Sequence, residues 1–259
     1  MENVLKNAQS NDEPIIGSWL AIGHPEVAEM MALLDYEFIV IDREHTPISL
    51  ETLENVLRAV ENTTSSTESL VRVPSSDPTE LKRTLDLDPA GIMVPMVETA
   101  SEAESIVEAT RFPPNGRRGI GIHRAANYSL DLDAYVETAG EDVSRYVQIE
   151  TERGLRNVDA IAAVDGIDGL FIGPADLSAS LGAFGTVNDS TFTDAVDRIV
   201  QSARNADISV GTLAISESER ETRLNWDIDF LVAGVDSVHL LSGSKDALRH
   251  CRRVSKSVE

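Results

Sequence analysis

The sequence predicts a single (β/α)8 barrel, and two features of the chain carry this prediction. Eight short apolar runs alternate with segments in which apolar residues recur at helical spacing. The 259 residues also contain no linker or break in composition that would divide them into two domains. An open, doubly wound sheet is the alternative fold, but no Gly-x-Gly-x-x-Gly follows the first apolar run and no P-loop motif is present.

The first half of the chain supplies four predicted strands. Residues 1–14 are polar and contain no apolar signal core, so we predict a flexible leader there, followed by a barrel domain over 15–259. Continuous apolar runs predict buried parallel strands at 15–21, 38–42, 70–73 and 91–95. Apolar residues spaced by three and four positions predict helices at 25–34, 50–60, 79–87 and 101–110.

The second half repeats the alternation after a longer loop. Residues 111–130 are rich in Gly, Pro and Arg and are expected to form that loop. Strands are predicted at 146–150, 169–173, 208–214 and 230–233. Helices are predicted at 154–164 and 192–206, with a final C-terminal helix that begins near Ser244.

The composition excludes some partners and favours others. A formal net charge of −22 disfavours nucleic acid and anionic membrane surfaces. An acidic surface with few lysines is typical of a halophilic protein, although an ordinary acidic protein remains the alternative. The single cysteine, Cys251, cannot form an intrachain disulfide, and no apolar run has the length of a membrane span. We therefore expect a cytoplasmic protein.

Polar and charged residues recur where the predicted strands end. The carboxyl ends of the strands converge on one mouth in a barrel, which is where (β/α)8 enzymes hold their active sites. The candidates are Asp42, Glu44 and His45 after the second strand, Arg72 in the third, Gln148 and Glu150 at the end of the fifth, and Asp176 after the sixth.

Glu150 and Asp176 are candidates for metal ligands. Two carboxylates at neighbouring strand ends cannot both stay ionised cheaply without a cation between them, and oxygen ligands favour Mg²⁺ or Mn²⁺. The alternative is two unrelated carboxylates, each paired with an arginine. The segment 171–178 predicts a strand, a tight turn and a helix start, where the amides of Ala175 and Asp176 would suit a substrate carboxylate.

His45 and Arg72 are candidates for catalysis. His45 would act as a general base, or else it is a structural histidine in the loop. Arg72 lies inside an apolar strand and needs an anion, which is either a developing oxyanion or a buried partner such as Asp42 or Glu44. Among the other histidines, His24 and His123 are possible accessories, whereas His239 and His250 are expected to be structural or exposed.

A basic segment, 117–124, stands out in this acidic chain. Its arginines, including Arg124, would bind a second substrate carboxylate or a neighbouring subunit. The alternative is a solvated run of charge.

Several of these segments resemble the HpcH/HpaI aldolase family. The blocks are Asp-x-Glu-His-x-Pro at 42–47, Val-Pro-Met-Val at 94–97, Arg-Arg-Gly at 117–119, Gln-Ile-Glu at 148–150 and Gly-Pro-Ala-Asp-Leu-Ser at 173–178. The likeness extends in order from about residue 16 to about residue 246, and its first and last blocks are the most specific.

The resemblance implies a class II, metal-dependent pyruvate aldolase that cleaves a 4-hydroxy-2-oxo acid, of the 4-hydroxy-2-oxoheptanedioate or 2-keto-3-deoxy sugar acid type, into pyruvate and an aldehyde. It implies Mg²⁺, Mn²⁺ or Co²⁺ as cofactor and a homo-oligomer, a hexamer or trimer, that exchanges its last helix. The implied roles are Glu150 and Asp176 as metal ligands, His45 as base with Asp86 as its dyad partner, Arg72 as enolate stabiliser, the Ala175 and Asp176 amides as carboxylate ligands, and Leu213 against the pyruvate methyl group. Gln148 and Arg124 are further candidates for substrate contacts.

The chain departs from the family pattern at two places. Arg43 replaces a small or apolar residue, and the loop at 120–127 is shorter and contains His123, which leaves the aldehyde open. A Schiff-base aldolase is disfavoured because none of the four lysines lies at a predicted strand end. The rival functions are a citrate-lyase-β-like enzyme that cleaves a CoA thioester and a barrel that binds oxo acids without turnover.

Overall fold

The computed structural model describes residues 3–11, 13–130, 132–185 and 190–256. Eight parallel strands follow one another in sequence order and close into a barrel, because β8 pairs with β1. The predicted (β/α)8 fold is therefore confirmed. The strands are β1 Ile15–Leu20, β2 Phe38–Asp42, β3 Glu68–Arg72, β4 Gly91–Val94, β5 Ser144–Ile149, β6 Gly169–Ile172, β7 Ser209–Leu213 and β8 Phe230–Val235.

Helices surround the barrel and differ from the prediction in four places. Helix α5 and helix α10 were not expected, the helix predicted at 154–164 is split into α6 and α7 at Asn157, and α11 begins at Asp236 instead of near Ser244. The helices are α1 Pro25–Ala32, α2 Leu50–Glu61, α3 Pro78–Leu85, α4 Ala100–Thr110, α5 Leu132–Asp142, α6 Glu152–Arg156, α7 Val158–Ala162, α8 Pro174–Ser180, α9 Ser190–Ala206, α10 Glu217–Arg223 and α11 Asp236–Lys256. No described helix is long and apolar enough to cross a membrane.

The barrel interior is filled by large rings set against glycines. The ring of Phe38 fills the space beside Gly17, and Phe230 does the same beside Gly211. Both phenylalanines are fully buried, and their rings pack edge to face with centroids 5.9 Å apart. Because side chains alternate along a strand, the residues two and four positions beyond these rings also point into the barrel. This alternation carries Asp42 of β2 to the mouth.

The described part of the predicted leader is packed against the opposite end of the barrel. Leu5 is fully buried, and the Tyr146 hydroxyl donates a hydrogen bond of 2.5 Å to its carbonyl oxygen. The amides of Val4 and Leu5 donate to the carboxylate of Glu68, at 2.7 and 3.0 Å. Leu5 and Ala8 of this segment thus pack into the floor of the barrel, and a flexible leader over 1–14 stays a prediction.

Candidate active site

Arg72 and Asp42 form a buried pair at the mouth. They are register partners on β3 and β2, and both side chains point inward. Nε and Nη2 of Arg72 donate to the two carboxylate oxygens of Asp42 at 2.9 and 2.8 Å. Nη1 of Arg72 lies 2.9 Å from Oε2 of Glu44, and the guanidinium stacks 4.6 Å from the ring centroid of Trp19. The buried partners considered for Arg72 are thus both present, and they fix the direction in which its guanidinium points.

The pKa values of the two acids that contact Arg72, Asp42 and Glu44, are shifted in opposite directions. Burial alone would raise the pKa of Asp42, but the Arg72 guanidinium and the amides of Glu44 and His45 hold that pKa below its usual value. Burial raises the pKa of Glu44, and the nearby carboxylates of Asp42 and Asp176 add to the shift against the attraction of Arg72 and His45. The Glu44 carboxylate is therefore close enough to Asp42 and Asp176 for their negative charges to raise its pKa.

His45 is presented to solvent by a tight turn after β2. Oδ1 of Asp42 accepts hydrogen bonds from the amides of Glu44 and His45 at 3.0 and 3.4 Å, and the Thr46 hydroxyl donates to the Asp42 carbonyl. The His45 side chain is 70% exposed, with Nε2 3.9 Å from Oε2 of Glu44. An imidazole in this position is free to meet a ligand at the mouth.

Arg43 points away from the mouth and anchors the same turn from behind. Its side chain is 8% exposed and donates to the Ile48 carbonyl, the Thr84 hydroxyl and the Glu80 carboxylate, at 3.4, 3.0 and 3.3 Å. Arg43, where the chain departs from the family pattern, therefore holds the loop 43–49 against α3 and does not place its charge in the site.

Glu150 is a buried carboxylate directly after β5. Its Oε1 accepts a 2.7 Å hydrogen bond from the amide of Met96, and its Oε2 lies 3.4 Å from Nε2 of Gln148. A Cβ on Gly173 would lie 2.7 Å from the same Oε2, so a glycine is required for the carboxylate to keep this position. Burial, with the charges of Glu44 and Asp176, raises the pKa of Glu150 to about 7.

Asp176 lies in the first turn of α8, close enough to Glu44 and Glu150 for their charges to interact. Asp176 and its neighbour Ala175 are exposed. No ion pair between an arginine and either Glu150 or Asp176 is found among the described residues, which disfavours the alternative of two separately paired acids. Leu213, at the end of β7, completes this side of the mouth and packs against the interior cluster.

The donor set at Glu150 and Asp176 fits a hard divalent cation. The described residues contain no group of three or more acids, histidines or cysteines arranged around a metal position. Two carboxylates are nevertheless the usual protein contribution to a Mg²⁺ site, which is completed by water and substrate oxygens. Oε1 of Gln148 is buried and has no hydrogen-bond partner, so an acceptor beside Glu150 also remains available to a bound group.

Asp86 and Arg124 are not brought to the mouth of their own barrel. Asp86 follows the C-terminal end of α3 and accepts a 2.9 Å hydrogen bond from Nη2 of Arg118. Arg124 pairs with Glu61 at the end of α2 and donates to the Leu87 carbonyl. No contact between Asp86 and His45 occurs within the described chain, so their dyad stays a prediction. The basic segment 117–124 is therefore held against the C-terminal ends of α2 and α3, opposite the mouth.

Three histidines have other surroundings. Nδ1 of His24 accepts from the Glu26 amide and caps α1, and the His123 ring lies 6.2 Å from that of Tyr128. His250 lies on the exposed part of α11. Neither predicted accessory contacts Arg72 or Glu150.

Two features of the site were missed by sequence reasoning. Trp19 supports Arg72, and its place two residues after an inward glycine in β1 is a signal that could have revealed it. The Met96 amide holds Glu150, and no pattern of side chains predicts a backbone donor of this kind.

Comparisons with known proteins identify the family of the chain. A model of the HpcH/HpaI aldolase/citrate lyase family matches residues 16–243. The chain belongs to the HpcH/HpaI aldolase/citrate lyase family. A 4-hydroxy-2-oxovalerate aldolase from Novosphingobium aromaticivorans is 41% identical over 254 residues, which are 96% of this chain and 95% of that protein.

Two further members of the family are similar over most of their length. A 5-keto-4-deoxy-D-glucarate aldolase from Klebsiella pneumoniae subsp. pneumoniae is 36% identical over 234 residues, 90% of this chain and 91% of that protein. The crystal structure of an HpcH/HpaI aldolase/citrate lyase family protein from Burkholderia cenocepacia J2315 superposes with a TM-score of 0.92 at 35% identity, covering 96% of this chain and 99% of that one. Together these relatives identify the protein as a carbon–carbon lyase.

Proposed function

We propose that the protein is a class II pyruvate aldolase that reversibly cleaves a 4-hydroxy-2-oxo acid into pyruvate and an aldehyde. The observation that carries this proposal is the group of Glu150 and Asp176 at the same mouth as the oriented guanidinium of Arg72. The aldolases among its relatives support the reaction type. Their named substrates differ at the far end, since 4-hydroxy-2-oxovalerate has one carboxylate and 5-keto-4-deoxy-D-glucarate has two.

Glu150 and Asp176 would hold a divalent cation, Mg²⁺, Mn²⁺ or Co²⁺. When bound, the cation would polarise the 2-oxo group of the substrate as a Lewis acid. Gly173 leaves room for the Glu150 carboxylate, and the Met96 amide fixes its orientation. The amides of Ala175 and Asp176 would receive the substrate carboxylate.

The remaining residues of the site accept the proton and stabilise the negative charge that develops. His45 accepts the proton of the C4 hydroxyl, directly or through a water molecule. The C3–C4 bond then breaks, the aldehyde leaves, and the bonding electrons form the enolate of pyruvate. Arg72 stabilises the oxygen on C2 of that enolate, and a proton added to C3 gives pyruvate. Leu213 would contact C3, and Gln148 would contact the oxo acid.

The experiment is to measure pyruvate release from several 4-hydroxy-2-oxo acids, with EDTA and with added Mg²⁺ or Mn²⁺. We expect release that EDTA abolishes and metal restores. Release unaffected by EDTA would remove the metal from the mechanism. Folded protein that releases no pyruvate would favour the thioester lyase or the non-catalytic barrel, which CoA-ester cleavage and oxo-acid binding would then separate.

We also propose that the protein is a homo-oligomer in which α11 packs against a second copy. Every described residue of α11 from His239 onward is exposed, including Leu241 and Leu248, which are 70% and 51% accessible. An apolar groove beside α1 contains Met30 and Leu34, which are 59% and 66% accessible. Such surfaces favour association. Because Asp86 is held away from His45 within one chain, the predicted dyad would require His45 of a second copy.

A further inference from the structure

Arg118 is the most deeply buried cation of the basic segment 117–124. Its side chain is 1% exposed. Its guanidinium lies between two aromatic rings, with Cζ 4.8 Å from the ring centroid of Phe112 and 5.7 Å from that of Tyr135. The two rings pack edge to face with their centroids 5.5 Å apart. Because aromatic faces attract cations, these rings hold the guanidinium in place independently of any anion.

One nitrogen of this guanidinium contacts both an acid and a hydroxyl. Nη2 of Arg118 donates to Oδ1 of Asp86 at 2.9 Å and to the Tyr135 hydroxyl oxygen at 2.6 Å. Burial raises the pKa of Tyr135, so its hydroxyl accepts this bond as a neutral group and adds no negative charge beside Asp86. A charge-assisted hydrogen bond from a fixed guanidinium orients the carboxylate that accepts it.

The second oxygen of the Asp86 carboxylate is left for another donor. Oδ2 of Asp86 receives no hydrogen bond from the residues that the structure describes, and the side chain is 25% exposed. A Cβ on Gly121 would lie 3.4 Å from Oδ2, so the backbone there passes close by without a side chain that covers the oxygen. The carboxylate lines a groove that also contains Leu50, Glu51 and His123.

The main chain of Asp86 is held as firmly as its side chain. The Asp86 amide donates to the Lys82 carbonyl at 2.9 Å, and the Asp86 carbonyl accepts from the Ala125 amide at 3.2 Å. Because the backbone and one carboxylate oxygen are both fixed, the position of Oδ2 is determined within one chain. A carboxylate with a fixed orientation and a free oxygen is what a His–Asp pair requires of its acid.

We propose that Arg118 and Tyr135 are positioning residues of the aldolase, which act by holding the carboxylate of Asp86 toward His45 of a second copy. This inference rests on the proposed aldolase function and on the dyad between two copies. Oδ2 of Asp86 would accept a hydrogen bond from one ring nitrogen of His45, which directs the other nitrogen to the C4 hydroxyl. Arg118 and Tyr135 do not touch the substrate and affect the reaction through Asp86.

A double-variant cycle tests whether Arg118 acts through Asp86. Pyruvate release from 4-hydroxy-2-oxopentanoate is measured with the Mn²⁺-loaded unchanged protein, Arg118→Met, Asp86→Ala and the double variant, under conditions in which urea unfolding shows each to be folded. We expect kcat to fall about 100-fold in Asp86→Ala and about tenfold in Arg118→Met, with KM unchanged. In the Asp86→Ala background, Arg118→Met should lower kcat by less than about twofold.

Tyr135→Phe is a milder variant for the same cycle, because it removes the hydroxyl and keeps the ring that packs on Arg118. We expect it to lower kcat about threefold when Asp86 is present and to have no effect in Asp86→Ala. Arg118→Lys should recover part of the activity lost in Arg118→Met, since an ammonium group can still donate to Asp86 but lacks the fixed fork of a guanidinium.

The outcomes separate this inference from the proposed function. Equal fold losses of kcat in the two backgrounds, or an unchanged kcat in folded Arg118→Met, would overturn the inference. If Arg118→Met does not fold, the Tyr135→Phe cycle decides in the same way. Full activity of Asp86→Ala would overturn the inference and leave the aldolase function standing. An unchanged protein that releases pyruvate from no 4-hydroxy-2-oxo acid would overturn the aldolase function, and the inference with it.

Discussion

Arg72 is the residue on which the charges of the mouth depend. It is buried with Asp42 and Glu44 around it, and Trp19 covers one face of its guanidinium. Removing one partner from a buried ion pair lowers the stability of the folded protein more than replacing both partners with apolar residues does. The reason is that the remaining charge is left buried without a counter-ion.

We expect Arg72→Met to lower the free energy of unfolding by about 3–5 kcal/mol. The double variant Arg72→Met/Asp42→Asn should recover part of this loss, because it removes one uncompensated buried charge. The asparagine oxygen can still accept from the amides of Glu44 and His45. Urea unfolding at pH 7 measures both variants, and a double variant less stable than Arg72→Met would contradict the argument.

Gly173 offers a test of the proposed metal site that does not depend on turnover. A methyl group there would push Oε2 of Glu150 from its position, while the backbone of Gly173, with φ of −83°, accepts an alanine. We expect Gly173→Ala to weaken Mn²⁺ binding by about 10–100-fold, as measured by titration calorimetry.

The matched control for Gly173→Ala is Gly243→Ala in α11, where a Cβ would meet no atom within 4 Å. That variant should bind Mn²⁺ as the unchanged protein does. Folded Gly173→Ala with undiminished Mn²⁺ affinity would show that Glu150 is not a ligand.

At the scale of elements, the segment 3–11 acts as the floor of the barrel. Leu5 fills the end of the interior below Tyr146, and both are fully buried. We expect Leu5→Ala to destabilise the protein by about 2–5 kcal/mol in urea unfolding, through lost burial and the cavity that remains. Ser10→Ala, at an exposed position of the same segment, should change stability little. Equal effects of the two variants would mean that the segment does not hold the barrel closed.

Glu68 should give this floor a pH dependence. Burial raises the pKa of Glu68 above its ordinary value of 4.5, against the lowering effect of the Leu5 and Val4 amides. The folded state therefore binds a proton more readily than the unfolded state, so its contribution to stability is greatest below pH 4.5 and is lost as pH rises through the folded pKa.

Comparison with Glu68→Gln isolates this contribution, since glutamine keeps an acceptor but does not titrate. We expect the stability of the unchanged protein, relative to Glu68→Gln, to fall as pH is raised from about 4.5 toward neutrality. Urea unfolding at several pH values measures it. A constant difference would show that the carboxylate is solvated like an exposed one.

Some elements were predictable from the sequence, and others were not. The bounds of β2 were predicted to the residue, because a fully buried strand is a continuous apolar run. Helix α5 has no clear apolar face and falls beyond a loop, so it left no periodic signal. Helix α10 does begin with a capping box between Ser216 and Glu219, which is a local signal that predicts a helix start.

At the scale of the whole molecule, Leu241 and Leu248 of α11 form an apolar surface that a single chain leaves exposed. We expect Leu241→Lys/Leu248→Lys to dissociate the oligomer, measured by light scattering after size-exclusion chromatography. His250→Lys is the control, because residue 250 is exposed and lies about 160–180° around the helix from Leu241 and Leu248 by the 3.6-residue period. A monomeric unchanged protein, or double-lysine protein of unaltered mass, would contradict the packing of α11 on a second copy.

The cytoplasmic location and the adaptation to high salt, both drawn from composition, stay predictions.

The sequence by itself determined the barrel, the family and the residues that end the strands, because apolar periodicity and motif spacing are local properties of the chain. Only the tertiary structure decided which of those residues meet. It brought Arg72, Asp42 and Glu44 together through strand register, placed Glu150 against a backbone amide, and held Asp86 and Arg124 far from the mouth. The physical reason is that the position of each side chain depends on strand register, on the direction of its helix and on the contacts that hold its loop. All three are set by contacts between residues that are distant in sequence.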